Sequence, residues 1–144
     1  MGITSAICNS FKQEILEAEH NFATSGGNTF NLALYDSDAT LSKSTTAYIT
    51  SEELATTGGY TAKGKALTSV TPVLDSDTAV CDFANTSWTS ASFTARGCLI
   101  FNDSHASDAS VCAIDFGGDK TVTSGTFTVE FPAAAASTAI IQIA

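Results

Sequence analysis

Near the start of the chain, apolar side chains recur at intervals of four or three: Ile3, Ile7, Phe11, Ile15, Ala18 and Phe22, with Lys12, Gln13, Glu17 and His20 between them. At about 3.6 residues per turn these positions stack on one stripe, which predicts an amphipathic helix over residues 4–22. Thr4 or Ser5 can cap its start, and Gly26-Gly27 ends the segment. Leu16 points away from the stripe, about half a turn from Ile7. A single exposed leucine needs no explanation; read functionally, Leu16 marks a second contact surface on that helix.

After Gly27 the period changes to two. Phe30, Leu32 and Leu34 share one face of FNLALY; Ala79, Cys81 and Phe83 alternate likewise, as do Cys112, Ile114 and Phe116, and Phe127, Val129 and Phe131. The closing TAIIQIA reads as a last strand with Ile141 and Ile143 inward. SEELATT reads as one helical turn and PAAAAS as a connector. Turn clusters separate the strands at Asp36, Gly58, Asp75, Asn102, Gly117 and Ser124. Short strands between regular turn signals predict a mainly β chain: one antiparallel, jelly-roll-like β-sandwich of about eight or nine strands over residues 28–144, with the N-terminal helix packed on it. A chain of 144 residues fits a single domain, 1–144.

Charge narrows the choice of partners. Six Lys and Arg stand against 15 Asp and Glu, a formal net charge of −9. Such a surface repels phosphate backbones and anionic lipid heads, so neither nucleic acid nor membrane is expected as a partner. MGITSAICNS lacks a basic region followed by a long apolar run and does not read as a signal peptide. Ala6 stands where a myristoylation signal at Gly2 would want Ser or Thr. Without secretion, the sequons at Asn85 and Asn102 carry no meaning.

The residues that could carry chemistry are few. Cys8, Cys81, Cys98 and Cys112 show no paired spacing and three of them lie in apolar strand patterns, which predicts buried free thiols, with a cross-strand disulfide as the alternative. His20 on a helix surface and His105 in a polar turn lie at no ligand spacing from a cysteine, and neither has a flanking motif that would orient it as a base. Acids alternate at Asp36/Asp38 and at Asp75/Asp77. Such loops can chelate calcium, but Asp and Ser also favour turns by bonding their own backbone. GGDK at Gly117–Lys120 lacks the glycine spacing of a phosphate loop and reads as a tight hairpin turn. No enzyme and no cofactor is expected.

Arg96 is the only arginine, set in the strand-like run SFTARGCLIF. Phe93 and Ala95 alternate with Thr94 and Arg96, and Gly97 suggests a bulge that swaps faces before the apolar CLIF. A partly buried guanidinium needs a carboxylate. Asp82, Asp115 and Asp119 are the candidates, which makes Arg96 a pin within the chain; an intersubunit ion pair is the other reading.

Seven stretches together look familiar: ICNSFKQEIL, FNLALYDSDATL, TTAYITSEEL, GGYTAKGKALT, WTSASFTARGCLIFND, DFGGDKTVTSGTFTVEFP and AIIQI. They span nearly the whole chain, which resembles a family of small virion structural proteins of tailed, cyanophage-type bacteriophages. The chain departs from that family's pattern at Gln142, where an IIRI-like end is usual, and at Cys98 and Cys112, where small apolar residues are usual. Gln142 is therefore, with Leu16 and Arg96, a candidate contact residue.

The resemblance implies a structural virion protein. It implies a capsid decoration (cement) protein, made in the host cytoplasm, that sits on the outside of the shell as a homotrimer. It would bind the major capsid protein and bridge neighbouring capsid subunits. A tail or fibre component, such as an adsorption module, is the alternative. A carbohydrate-binding or hydrolytic domain is a third, favoured by an exposed ring at Tyr35, Tyr48, Tyr60 or Trp88 beside acids.

Overall fold

The computed structural model describes residues 2–144. It is mainly β, with 48% of residues in strands and 6% in a single short helix. Two antiparallel sheets face each other. The larger comprises β1 (Ala6–Ile7), β2 (Phe30–Tyr35), β3 (Lys65–Ala66), β6 (Thr86–Asn102) and β7 (Ser110–Val129), in the order β1-β7-β6-β2-β3. The smaller comprises β4 (Ser69–Asp75), β5 (Thr78–Phe83) and β8 (Ile141–Ile143), in the order β4-β5-β8. The expected β-sandwich is therefore present.

Its core lies between the sheets. Phe30, Leu32, Leu34, Cys98, Ile100 and Cys112 of the large sheet meet Cys81, Phe83 and Ile141 of the small one, with Phe11 and Phe22 filling the side. Phe22 lies flat on Phe30, ring centres 4.3 Å apart. The large sheet is also covered on its other face. There Ala33, Tyr35, Leu99, Phe101 and Ala113 pack with Ile3, Ala39 and Leu41, under Tyr48 and Ile49. Burial on both faces explains why LALY, at the end of β2, and CLIF are continuous apolar runs.

The helix is shorter than expected. α1 spans Asn9–Leu16, not 4–22, and Cys8 stands at its N-cap with no side-chain cap; Thr4 and Ser5 do not cap it. The preceding residues pair as strand instead: Ala6 and Ile7 against Ala113 and Cys112, and Ile3 beside Leu41. Those backbone groups gain ladder bonds on an otherwise open sheet edge, which outweighs helical periodicity. Past Leu16 the chain leaves the helix, with Ala18 at φ 61°. The stripe survives in part, since Phe11 is buried and Ile7 and Ile15 pack on the core.

Two expected turns are absent as turns. Gly117 and Ser124 lie inside β7, which pairs with β6 over most of its length in one long hairpin. Gly117 (φ 77°) and Ser124 (φ 47°) sit where the register slips, so the positive φ makes bulges, not chain reversals. The slips also explain the core pattern of β6. Trp88, Ala91, Phe93, Ala95, Cys98 and Ile100 all face the main core, although strict alternation would put Trp88 and Ala91, or Ala95 and Cys98, on opposite faces. The face swap expected at Gly97 is present. A Cβ there would lie 2.4 Å from the Ile114 carbonyl oxygen and 2.8 Å from the Ile3 side chain.

The turns at Asp75 and Asn102 do join β4 to β5 and β6 to β7. SEELATT forms no helical turn: Glu53 bridges to Tyr35 instead. Ile141 points inward as expected, but Ile143 is 58% exposed, and Ala79 is exposed too. The small sheet outruns its cover at that end.

Candidate functional site

Arg96 lies on the face of β6 opposite Ala95. Its Nε donates to Asp115 Oδ1 at 3.1 Å and its Nη1 stands 3.6 Å from Asp119 Oδ1. Two of the three candidate acids are thus its partners; Asp82 is not. Asp115 also accepts the Gly117 N–H, and that bond first, then Arg96, holds its carboxyl below the usual range. The guanidinium therefore pins β6 to the bulge of β7 within one chain. About a third of its side chain remains exposed, so the attraction is screened by water.

Asp82 instead lies buried in β5. One carboxyl oxygen accepts the Phe83 N–H at 2.8 Å and the other has no partner. Burial raises its pKa. The four cysteines are buried and free, so the cross-strand disulfide is not formed. Desolvation pushes all four thiols up, Cys81 to about 12.

His20 is not on a helix surface. Its ring is buried, with Nε2 2.7 Å from Glu14 Oε2 and Nδ1 3.2 Å from the Asn102 amide nitrogen. Asn102 Oδ1 accepts the Ser104 N–H, so its NH₂ must face His20, and the imidazole carries its proton on Nε2 towards Glu14. This network ties the segment after α1 to the β6–β7 turn. His105, in that turn, faces Glu19 at 3.3 Å, and its Nδ1 accepts the N–H and meets the Oγ of Ser107. Hydroxyl, imidazole and carboxylate stand in series, but the Nδ1 lone pair already closes the turn through the Ser107 backbone.

A second network went unseen in the sequence. Glu53 accepts the hydroxyls of Tyr48 and Tyr60 and the Lys63 N–H. The Tyr60 hydroxyl in turn accepts the Leu34 N–H at 3.0 Å. Lys63 reaches Asp103 and Asp108 at 3.0 and 2.9 Å. Together they fasten residues 48–63 along β2. Burial pushes Tyr48 up to about 12. Tyr35, Tyr60 and Trp88 are buried, so these rings offer no open platform for stacking a sugar. TTAYITSEEL holds one Tyr and two adjacent Glu, a pattern that does not mark this fastening in advance.

At the acidic loop, Asp36, Asp38 and Glu52 bring carboxylate oxygens within 4.8 Å of one another. Asp38 N–H bonds back to Asp36 Oδ1, the local turn that Asp favours.

One surface cleft is lined by apolar side chains alone. Between α1 and the small sheet lies a cleft of about 140 Å³, walled by Phe11, Ile15 and Phe22 and floored by Ala79, Cys81, Ile141 and Ile143. Leu74, Ala79 and Ile143 face one another across the three strands as one exposed row beyond the buried Cys81–Ile141 pair. Leu16, the last residue of α1, is 88% exposed. Gln142 lies on the other face of β8 and donates to the Ala139 carbonyl at 2.9 Å. Leu16 follows Ile15 in sequence but does not line this cleft, and Arg96 and Gln142 belong to other surfaces.

No protein-family model, curated protein or solved structure matches the chain.

Proposed function

We propose that this chain is a capsid decoration protein, which binds the outside of a viral shell and bridges neighbouring capsid subunits. The observation that carries the reading is the resemblance of seven stretches, spread over nearly the whole chain, to small virion proteins of tailed phages. The physical character of the chain supports it. A net charge of −9 suits the outer surface of a shell and not the side facing packaged DNA. A β-sandwich whose large sheet is packed on both faces is a stiff body.

The mechanism in this reading is mechanical. Contacts added across capsid-subunit boundaries oppose the outward pressure of packed DNA. Each contact is weak alone, but a trimer engages several subunits at once and gains by avidity.

Cryo-electron microscopy of particles, with copy number by quantitative mass spectrometry, tests the reading. Decoration requires density over the shell and a copy number that scales with the capsid subunits. Density confined to the tail, with few copies, overturns it in favour of a tail or fibre component.

A further inference from the structure

We propose that residues 131–143 form a releasable strap over β5, whose hold is governed by the charge on Asp82. Asp82 lies on the face of β5 turned away from the main core, because Cys81 and Phe83 on either side of it belong to that core. Even so, it is only 1% exposed. The C-terminal segment supplies the cover. Asn85, just beyond β5, accepts the Phe131 N–H at 2.7 Å. Asp75, before the turn into β5, accepts the Ala136 N–H at 2.7 Å. The chain is therefore tied near both ends of β5 and passes along it between those ties. It returns through the buried Ala139 to Ile140, beside the Asp82 carboxyl, and enters β8, which pairs with Ala79, Val80 and Cys81. The cover is thin, since none of residues 131–138 is buried.

The cover is also conditional. Asp82 Oδ1 accepts the Phe83 N–H, but Oδ2 is buried with no partner. No Lys, Arg or His among the described residues forms an ion pair with this acid. An ionised carboxylate so placed has lost water without gaining a counter-charge, which weakens whatever encloses it. Protonation relieves this, and so does lifting the strap. The strap carries no Asp, Glu, Lys, Arg or His, and neither does β8. Around Asp82, β4 offers only Asp75 at its far end, and β5 only Cys81, whose thiol is pushed up to about 12 by burial and by Asp82 itself. Burial raises the Asp82 pKa more than the Phe83 and Ile140 N–H groups lower it. Its stabilising contribution is therefore fully present below the ordinary aspartate range and is lost as pH rises through the raised value. The strap is held tightest in mild acid and loosens towards neutrality, baring the outer face and one edge of β5. No part of this device uses the decoration reading.

Hydrogen exchange of the full chain between mildly acidic and neutral pH tests it. Protection is corrected for the intrinsic pH dependence of exchange and referred to the Leu34 and Leu99 amides of the large sheet. Protection of residues 139–143 should fall, relative to that reference, as pH rises. Asp82→Asn keeps the shape and removes the charge, so at neutral pH it should raise their protection by about fivefold or more. Asp75→Asn keeps an acceptor for the Ala136 N–H and should leave the pH trend in place. Protection indifferent to pH overturns the proposal, as does loss of the trend in Asp75→Asn, which would assign the titration to Asp75. Unchanged or lower protection in Asp82→Asn overturns it too, and the lower value would make Oδ2 a ligand of a bound water or cation.

Discussion

β2 and β4 are both short, apolar antiparallel strands, and their surroundings could hardly differ more. In β2 every residue but Asn31 is buried, because β6 flanks it, the small sheet covers one face and residues 36–50 cover the other. In β4 no residue is buried, and Val70, Val73 and Leu74 are open to water. Hydrophobicity alone does not separate FNLALY from SVTPVLD. Position in the sheet does: β2 has neighbours on both sides, while β4 is an edge whose proline marks it as one. Stability should therefore be concentrated in the large sheet, leaving the small sheet's rim free for contact.

The sharpest way to break this contrast is truncation in β2. Phe30→Ala removes a ring stacked on Phe22 in the main core and should cost about 3–5 kcal/mol by chemical denaturation. A variant as stable as the parent would show that the large sheet is not where stability resides.

Tyr60→Phe probes how β2 is fastened. It removes the acceptor of the buried Leu34 N–H, so it should cost about 1–3 kcal/mol while the ring packing remains. Hydrogen exchange at Leu34 should rise in step.

Arg96→Met should have a smaller, salt-sensitive effect, read in a melting curve. Asp115 is held low by Gly117 and Arg96, so its contribution is present above the ordinary aspartate range and is lost as pH falls through the depressed value. In the variant that acid-side loss should be smaller and complete at a higher pH, and NMR titration should find Asp115 moved upward, with the Gly117 bond still holding it partly down. Arg96→Lys should rescue only in part, since lysine has no planar fork. An Asp115 titration unmoved by Arg96→Met would remove the pin.

The smallest effect belongs to β4. Leu74→Ala, at an exposed edge position, should change stability by no more than about 0.5 kcal/mol. A large loss there would mean that the rim is structural and not free.

Much of the fold was legible in the pattern of residues. Period-two alternation located β2, β5 and the two ends of β7, but that FNLALY and CLIF lie in a layer buried on both faces was not read from it. The slip at Gly97 was visible because a glycine interrupts alternation between Ala95 and Cys98. Arg96 and two of its three candidate acids were visible because a lone cation in a strand must find a carboxylate. The helix limits were not, since residues 3–7 are compatible with a helical stripe and an edge strand alike, and only the open side of β7 decides between them. Nor were the Gly117 and Ser124 bulges, because a glycine with positive φ serves a bulge as readily as a turn.

By itself the sequence determined the strand-rich class, the acidic surface and most of the apolar faces, Phe30, Leu32, Leu34, Cys81 and Phe83 among them, since these follow from local periodicity and from the cost of burying charge. Only the tertiary structure decided that His20 is buried against Glu14 and Asn102, that Glu53 gathers Tyr48, Tyr60 and Lys63, and that the inward row of the small sheet runs out from under the helix at Ile143. The reason is distance along the chain. Asn102 stands 82 residues from His20, and where one sheet stops covering another is set by the lengths of elements that never meet in sequence.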